Sequence, residues 1–259
     1  QLAFRRMKIG EIKLLFFQEY PENDIDCWLS GEMAIIEASS LRPYYPLIKE
    51  GKHEGHLTIW KDAIGGRNYV IGIDTASGSA RDYSVASVLD VRTMEYVARV
   101  RGKIHTDLFA EQVFELGKRY NVALLAVEKI GHGHSVLRVL LHKEYPNLYY
   151  HTDYDEFMKI NVTDAGWKTS IKTKPLMVNG MITAFRSQDL ISYSENLLHE
   201  ISSLTWENGV DSKVRTTSGG NDDEFDAVAI ALQVRESAPL SEFEEKRAPI
   251  KSYVKVSYL

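Results

Sequence analysis

Carboxylates end apolar runs at separate places in the chain. Asp74 follows the apolar stretch 69–73, and Glu128 follows a second stretch, 122–127. A third group opens a helical pattern and contains Asp222, Asp223, Glu224 and Asp226. An apolar run of strand length that ends on an acid is typical of a buried strand in an α/β protein, with the acid at the edge of the sheet. Three elements that bring acids to one sheet edge predict a site for divalent metal ions.

The predicted metal ligands and catalytic residues are Asp74, Glu128, Asp223 and Asp226, with Asp222 as a further ligand candidate. Hard cations such as Mg²⁺ and Mn²⁺ bind oxygen, usually from a few carboxylates together with water and substrate phosphate. Asp223 and Asp226 are three positions apart and lie on one side of a helical turn. Two such ions about 4 Å apart can activate a water and stabilise the leaving 3′ oxygen of a phosphodiester.

Each acid also has a purely structural explanation. Asp74 can cap a turn, and Glu128 can be the solvated end of a strand. Acids at the start of a helix are favoured by its dipole, which accounts for part of the group 222–226. We favour the metal site because all three groups stand at the end of an apolar run or the start of an apolar helix.

The elements that must position these acids follow an α/β order. After the first acidic strand, stretches 82–90 and 95–100 are joined by short polar connections, which predict antiparallel hairpin steps. Thr106 is expected to cap a helix over 107–120, which precedes the second acidic strand and a helix through Leu141. This order places the second acidic strand beside the first.

The following part of the chain is more polar. A short strand near Tyr149 precedes a loop over 166–175, and Thr173 is expected to cap the next helix. A helix at about 194–204 and a strand at Trp206 then lead through a polar loop to the acidic helix.

Composition excludes several classes of protein. The chain has 259 residues and a net charge of −5, so it can form one large domain with a smaller appendage but is not a uniformly basic nucleic-acid binder. Its single cysteine, Cys27, excludes an internal disulfide and a cysteine-based zinc cluster. No apolar stretch approaches the roughly 18 residues of a membrane span, so no membrane contact is expected.

Residues 1–20 predict a helix, and the irregular stretch up to residue 67 predicts a linker.

The acidic motifs resemble those of the ribonuclease H-like nuclease domain in the large terminase subunit of tailed bacteriophages. The similar stretches occur in the family's order and are Ile71–Asp74, Ala126–Glu128 and Asp223–Ala231. Segments 166–175 and 17–21 are similar to two further terminase segments, of which the second closes the ATPase half of that protein. The resemblance covers nearly the whole chain.

The resemblance implies a ribonuclease H-like mixed sheet flanked by helices, with an irregular N-terminal linker segment. It divides the chain into the end of an ATPase half with its linker (1–66), the nuclease domain (67–236) and a charged tail (237–259). Because the chain begins with Gln1 and has no Gly-rich Walker loop, we expect a piece of a longer protein without an ATP site.

The implied activity is an endonuclease that cuts concatemeric double-stranded DNA with two Mg²⁺ or Mn²⁺ ions. The implied partners are DNA and, in the full assembly, the ATPase domain, the portal protein and the small terminase subunit, in the host cytoplasm and not secreted. Family members differ over which acid of the last motif binds metal, so Asp222, Asp223 and Asp226 all stay candidates.

Basic residues near the predicted site are expected to bind DNA phosphates: Lys168, Lys172, Lys174, Lys129 and Arg81. A charged loop can also be no more than a solvated surface. His132 and His134 follow Glu128 closely and could assist proton transfer, or could simply be polar residues at a helix start. The stretch 131–133 is predicted to be a flexible loop.

Other functions remain open. Another ribonuclease H-like nuclease, such as a Holliday-junction resolvase, would share the closing acidic helix. A non-catalytic docking module of the packaging motor would keep the acids as vestiges. An actin-like sugar kinase or ATPase would need phosphate-binding glycine turns in a second lobe, which the sequence lacks.

Overall fold

The computed structural model describes residues 34–77, 82–155, 159–206, 214–216 and 220–238. The helix expected within residues 1–20, the terminase-like segment 17–21, Arg81 and the tail beyond residue 238 lie outside these ranges.

The strands of the described residues are β1 (Lys52–Glu54), β2 (Leu57–Ile59), β3 (Tyr69–Asp74), β4 (Ser84–Asp90), β5 (Glu95–Gly102), β6 (Leu124–Val127), β7 (Tyr150–Asp155), β8 (Ile160–Ala165), β9 (Ile191–Ser192), β10 (Leu204–Trp206) and β11 (Val214–Thr216). The helices are α1 (Ala38–Leu41), α2 (Thr106–Arg119), α3 (Gly133–His142), α4 (Thr173–Arg186), α5 (Glu195–Ser203) and α6 (Asp223–Val234), with 3₁₀ turns at Arg42–Leu47 and Arg235–Ser237. None of the described helices is long and apolar enough to cross a membrane.

A mixed sheet of seven strands lies at the centre of the described part of the chain. Its order is β1-β2-β5-β4-β3-β6, with β9 beside the start of β5. β3 pairs antiparallel with β4 and parallel with β6, and β4 pairs antiparallel with β5. β3 is central because residues 69–73 are apolar or glycine and all are buried. The predicted hairpin steps and the predicted neighbourhood of the two acidic strands are confirmed.

The alternation of side chains along each strand divides the core into two layers. On one face, Val70 and Ala126 pack with α4, α5 and α6. On the other face, Ile71 packs with α2 and α3. Residues separated by an even number of positions in a strand lie on the same face. Asp74 therefore shares the face of Val70, and Glu128 shares the face of Ala126, which is the face covered by α6.

Gly72 allows α6 to approach β3 closely. A Cβ atom at this position would lie 2.0 Å from the carbonyl oxygen of Ala227 and 2.6 Å from the amide nitrogen of Ala231. The helix therefore lies directly on the backbone of the strand, with its acidic N-terminal end near the end of β3 that carries Asp74.

A hairpin in the part of the chain before residue 67 joins this sheet. The sequence predicts an irregular linker there, but β1 and β2 pair with each other and β2 pairs with β5, with Leu57 opposite Val100. The strands have only three residues each, which is too short for a periodic sequence signal. The proposed boundary at residue 66 therefore remains a prediction about the longer protein.

A second hairpin, β7–β8, pairs antiparallel beside the sheet. Only a short strand near Tyr149 is predicted there, because β8 is mostly exposed and its apolar alternation is limited to Ile160 and Val162. The chain then returns to β6, where the backbone N–H of Trp167 donates to the carbonyl oxygen of Val127 at 2.7 Å. Gly166 makes this return possible, with a positive φ of 95°. The lysine-containing loop after Trp167 is thereby fixed next to Glu128.

The predicted helix caps are wrong in detail. Thr106 and Thr173 are the first residues of α2 and α4, and the cap positions are His105 and Lys172, which make no side-chain capping hydrogen bond. The hydroxyl of Thr173 instead accepts from the N–H of Ser170 at 2.8 Å, which stabilises the loop before the helix.

Candidate active site

The two strand-end carboxylates lie side by side. The parallel register of β3 and β6 places Ile73 opposite Val127, and the N–H of Glu128 donates to the carbonyl oxygen of Ile73 at 2.8 Å. The carboxyl groups of Asp74 and Glu128 lie within hydrogen-bonding distance of each other. Burial raises the pKa of Asp74 well above its ordinary value, and the negative charges of Glu128 and Asp226 raise it further. This edge of the sheet therefore favours a bound proton or cation.

The first turn of α6 brings two more carboxylates to this edge. Oδ2 of Asp223 accepts from the backbone N–H of Tyr83 at 3.0 Å. Burial raises the pKa of Asp223 to about 6 and that of Asp226 to about 7, and the negative charge of Asp222 contributes to both. The side chain of Asp226 is only 13% exposed, and the positive charge of Lys174 partly offsets the shift of its pKa.

The capping explanation of this acidic group does not hold for Asp222. This residue occupies the cap position of α6, but its side chain makes no capping hydrogen bond. Its negative charge instead acts on Asp223, Asp226 and Lys174.

Glu224 is fully buried and belongs to a different group of polar side chains. Its carboxylate forms an ion pair with Arg99 and accepts from the hydroxyl of Ser194 at 2.6 Å and from Nδ2 of Asn196 at 2.7 Å. The hydroxyl of Tyr96 also donates to it, at 3.0 Å. These contacts fix the first turn of α6 to β5 and to the start of α5, so the neighbouring acids are held at the sheet edge.

The chemistry of the donors fits a hard divalent cation. The candidate ligands are carboxylates, and the pKa values of Asp74, Asp223 and Asp226 are all raised by burial together with neighbouring negative charge. A bound cation relieves such repulsion. The donors do not form a complete ligand set, since no three His, Cys, Asp or Glu residues in the described ranges converge closely enough to hold a metal ion. The ammonium group of Lys174 contacts both carboxylate oxygens of Asp226, at 2.7 and 2.5 Å.

Thr75 is a polar residue at this edge to which sequence reasoning assigned no role. Its Oγ1 atom is buried and has no hydrogen-bond partner among the described residues. A Cβ atom on Gly133 would lie 3.3 Å from this oxygen and 1.8 Å from the carbonyl oxygen of Glu128. Gly133 is thus the buried first residue of α3, packed on the strand end, rather than part of a flexible loop. The only sequence signal for Thr75 is its position directly after Asp74.

Two of the predicted DNA-binding lysines are paired with acids of the β7–β8 hairpin. Nζ of Lys168 lies 2.5 Å from Oδ2 of Asp153 in β7. Lys129 forms an ion pair with Asp164 in β8. The hairpin therefore already neutralises part of the positive charge beside Glu128.

An open groove of about 1170 Å³ lies next to these pairs. Both lysine–acid pairs line it, together with Lys172 on the loop before α4 and His134 on α3. His132 is exposed at the cap position of α3. The structure thus brings three of the predicted DNA-binding lysines to one groove, whereas Lys174 is engaged with Asp226 and Arg81 lies outside the described residues.

Comparison with known proteins establishes the fold. No protein-family model matches the sequence, and no curated protein matches it at a significant level. The large terminase nuclease from thermophilic phage G20c with bound cobalt superposes with a TM-score of 0.62 at 16% identity, covering 78% of this chain and 98% of that chain. The same nuclease with bound magnesium gives a TM-score of 0.62, at the same identity and coverage. The large terminase nuclease domain of Thermus phage P74-26 superposes with a TM-score of 0.58 at 17% identity, covering 72% of this chain and 90% of that chain.

The matched structures are nuclease domains of large terminases, and the match includes nearly all of each. The sheet order, the flanking helices and the match together confirm the fold expected from the sequence. The chain has the ribonuclease H-like fold of large terminase nuclease domains.

Proposed function

We propose that the chain is a metal-dependent endonuclease of a viral DNA-packaging terminase, which cuts concatemeric double-stranded DNA. The observation that carries the proposal is that Asp74 and Glu128 lie side by side at one sheet edge, where the negative charge of Asp226 also acts on Asp74. Two solved structures of the fold hold cobalt or magnesium, which supports a divalent cation as the cofactor here.

In this proposal Asp74, Glu128, Asp223 and Asp226 hold two ions of Mg²⁺ or Mn²⁺, with Asp222 as a further candidate. When bound, the cations would supply Lewis-acid stabilisation of the phosphodiester and lower the pKa of the attacking water. The chain's own contribution is positional. β3 and β6 hold one pair of carboxylates at the sheet edge, and the first turn of α6 presents the other pair to them.

We place the DNA in the groove that is lined by Lys129, the residue after Glu128. Lys129, Lys168 and Lys172 line this groove, and lysines bind duplex DNA mainly through its phosphates. Phosphates entering the groove would compete with Asp153 and Asp164 for two of these lysines.

Further proposals concern the domains and the partners of the complete protein. We propose that residues 1–66 are the end of the ATPase half with its linker, residues 67–236 the nuclease domain and residues 237–259 a charged tail. We also propose Arg81 as a further DNA contact. We also propose the ATPase domain, the portal protein and the small terminase subunit as partners, with the host cytoplasm as the place of action. The likeness of fold to large terminase nuclease domains supports these assignments.

The test is nicking and linearisation of supercoiled plasmid with Mn²⁺, Mg²⁺ or EDTA. The chain is compared with Asp74→Asn and with a control, Asp62→Asn, in which the aspartate is 75% exposed and paired with Arg119. We expect metal-dependent cutting by the chain and the control, and none by Asp74→Asn. Linear duplex and four-way junctions assayed in parallel separate a packaging nuclease from a resolvase.

Equal cutting by the chain and Asp74→Asn would contradict the assignment of Asp74. Metal binding without cutting would mean that the ATPase half must present the DNA. If neither metal binding nor cutting occurs, the docking-module alternative replaces the nuclease.

A further inference from the structure

Lys174 occupies one of the candidate metal ligands. It is the second residue of α4, and its ammonium group lies 2.7 and 2.5 Å from the two carboxylate oxygens of Asp226 in α6. The negative charges of Asp222 and Glu128 also act on it. The lysine therefore faces the same carboxylates that a cation would bind.

A lysine ammonium group and a divalent cation compete for the same carboxylate, because the two positive charges repel each other. Each oxygen of Asp226 keeps a second lone pair, but an ammonium group in contact with both oxygens would repel a cation on the same carboxylate, so cation binding favours withdrawal of Lys174. The long, flexible stem of lysine allows such a withdrawal without movement of the backbone. Neither Lys129 nor Lys168 is placed to substitute for it, since both are paired with acids of the β7–β8 hairpin.

We propose that Lys174 is an internal counter-ion of the site, which holds Asp226 in the metal-free protein and withdraws when a divalent cation binds. The inference rests on the proposed function, because it takes Asp226 as a metal ligand. Lys174 is then a positioning residue that keeps the acidic edge folded before the cation arrives and sets the apparent affinity for the cation.

The first test measures Mn²⁺ binding by calorimetry for the chain, Lys174→Met and Lys143→Met. Lys143 is a matched control, because it is also ion-paired, with Glu111, and is 30% exposed against 32% for Lys174. Removal of the competing ammonium should tighten Mn²⁺ binding about tenfold in Lys174→Met. Lys143→Met should bind Mn²⁺ as the unmodified chain does.

Mn²⁺ binding by Asp74→Asn distinguishes a failure of the counter-ion role of Lys174 from a failure of the proposed function. If Mn²⁺ binding depends on Asp74 but Lys174→Met has unchanged affinity, the counter-ion role is refuted while the proposed function stands. If neither the chain nor Lys174→Met binds Mn²⁺, both proposals fail. Binding by Lys174→Met alone would support the counter-ion role.

A second test needs no variant and so does not depend on how Lys174→Met folds. Amine acetylation of the chain, read by mass spectrometry, reports how accessible each lysine is. Saturation with Mn²⁺ should increase the acetylation rate of Lys174 several-fold and leave that of Lys143 unchanged. An unchanged rate at Lys174 in the presence of bound Mn²⁺ would overturn the proposal.

Discussion

Replacing Gly72 with alanine should damage the stability of the fold and the candidate site together. The added Cβ would lie 2.0 Å from the carbonyl oxygen of Ala227, where ordinary contact begins at 3.4 Å. It would also lie 2.6 Å from the amide nitrogen of Ala231. Both neighbours are backbone atoms of α6, so no side-chain rotation can relieve the overlap. The helix must therefore move away from β3 by roughly 1.4 Å, which is the difference between 3.4 Å and 2.0 Å.

Overpacking of this kind lowers the free energy of unfolding by about 1–3 kcal/mol. Alanine also reduces the entropy of the unfolded chain, which offsets less than about 1 kcal/mol of this loss. We expect the free energy of unfolding to fall by about 2 kcal/mol. Since the same shift moves Asp226 away from Asp74, Mn²⁺ should also stabilise the variant less than it stabilises the unmodified chain.

The assay is urea unfolding with and without Mn²⁺, with Gly65→Ala as the matched control. A Cβ at Gly65 meets no atom within 4 Å, and its φ is not positive. This control should therefore stay within about 0.5 kcal/mol of the unmodified chain. Equal stability of Gly72→Ala and Gly65→Ala would refute the close packing of α6 on β3.

Two further predictions concern buried charge. The pKa values of Asp223 and Asp226 in the folded protein, about 6 and about 7, exceed the ordinary 3.8, so the folded state binds their protons more tightly than the unfolded state does. Their contribution to stability is therefore complete below pH 4 and is lost as the pH rises to 7, by up to about 1.4 kcal/mol per pH unit for each proton released. Urea unfolding at several pH values should show that the free energy of unfolding falls less steeply with pH in Asp226→Asn than in the unmodified chain. The same pH dependence in both proteins would contradict the raised pKa of Asp226. Glu224→Gln should lower the free energy of unfolding by about 3 kcal/mol, because it leaves the partly buried guanidinium of Arg99 without its charged partner. Thermal unfolding measures this loss against the exposed control Glu115→Gln, and equal melting temperatures would show that the pair contributes nothing.

The position of the strand-end acids could be predicted because it follows from local pattern. An apolar run of strand length ends at Asp74 and another ends at Glu128, and the α/β order makes the two strands neighbours. The β7–β8 hairpin could not be predicted, since β8 is mostly exposed and its apolar alternation is limited to Ile160 and Val162. The caps at Thr106 and Thr173 failed because a threonine can begin a helix as well as cap it, and local sequence does not distinguish the two positions.

The partners of the lysines depend on tertiary packing. Lys174 and Asp226 are 52 positions apart, and only the packing of α4 and α6 on one sheet face brings them together. The pairing of Lys129 with Asp164 likewise requires the unpredicted hairpin. A lysine near an acidic site in sequence can thus be recognised, but whether it faces DNA or a carboxylate is decided by the fold.

The lysine–acid pairs of the groove affect how salt would act on DNA binding. DNA normally gains affinity at low salt because each phosphate neutralised by a lysine releases condensed cations. Lys129 and Lys168 are already neutralised by Asp164 and Asp153, so a phosphate that takes over either lysine leaves a bare carboxylate behind. That carboxylate attracts cations from solution, which cancels part of the entropy gained when the DNA releases its own cations. If DNA binds in this groove as proposed, its binding is an exchange of anions, with a shallower salt dependence than the number of lysines implies.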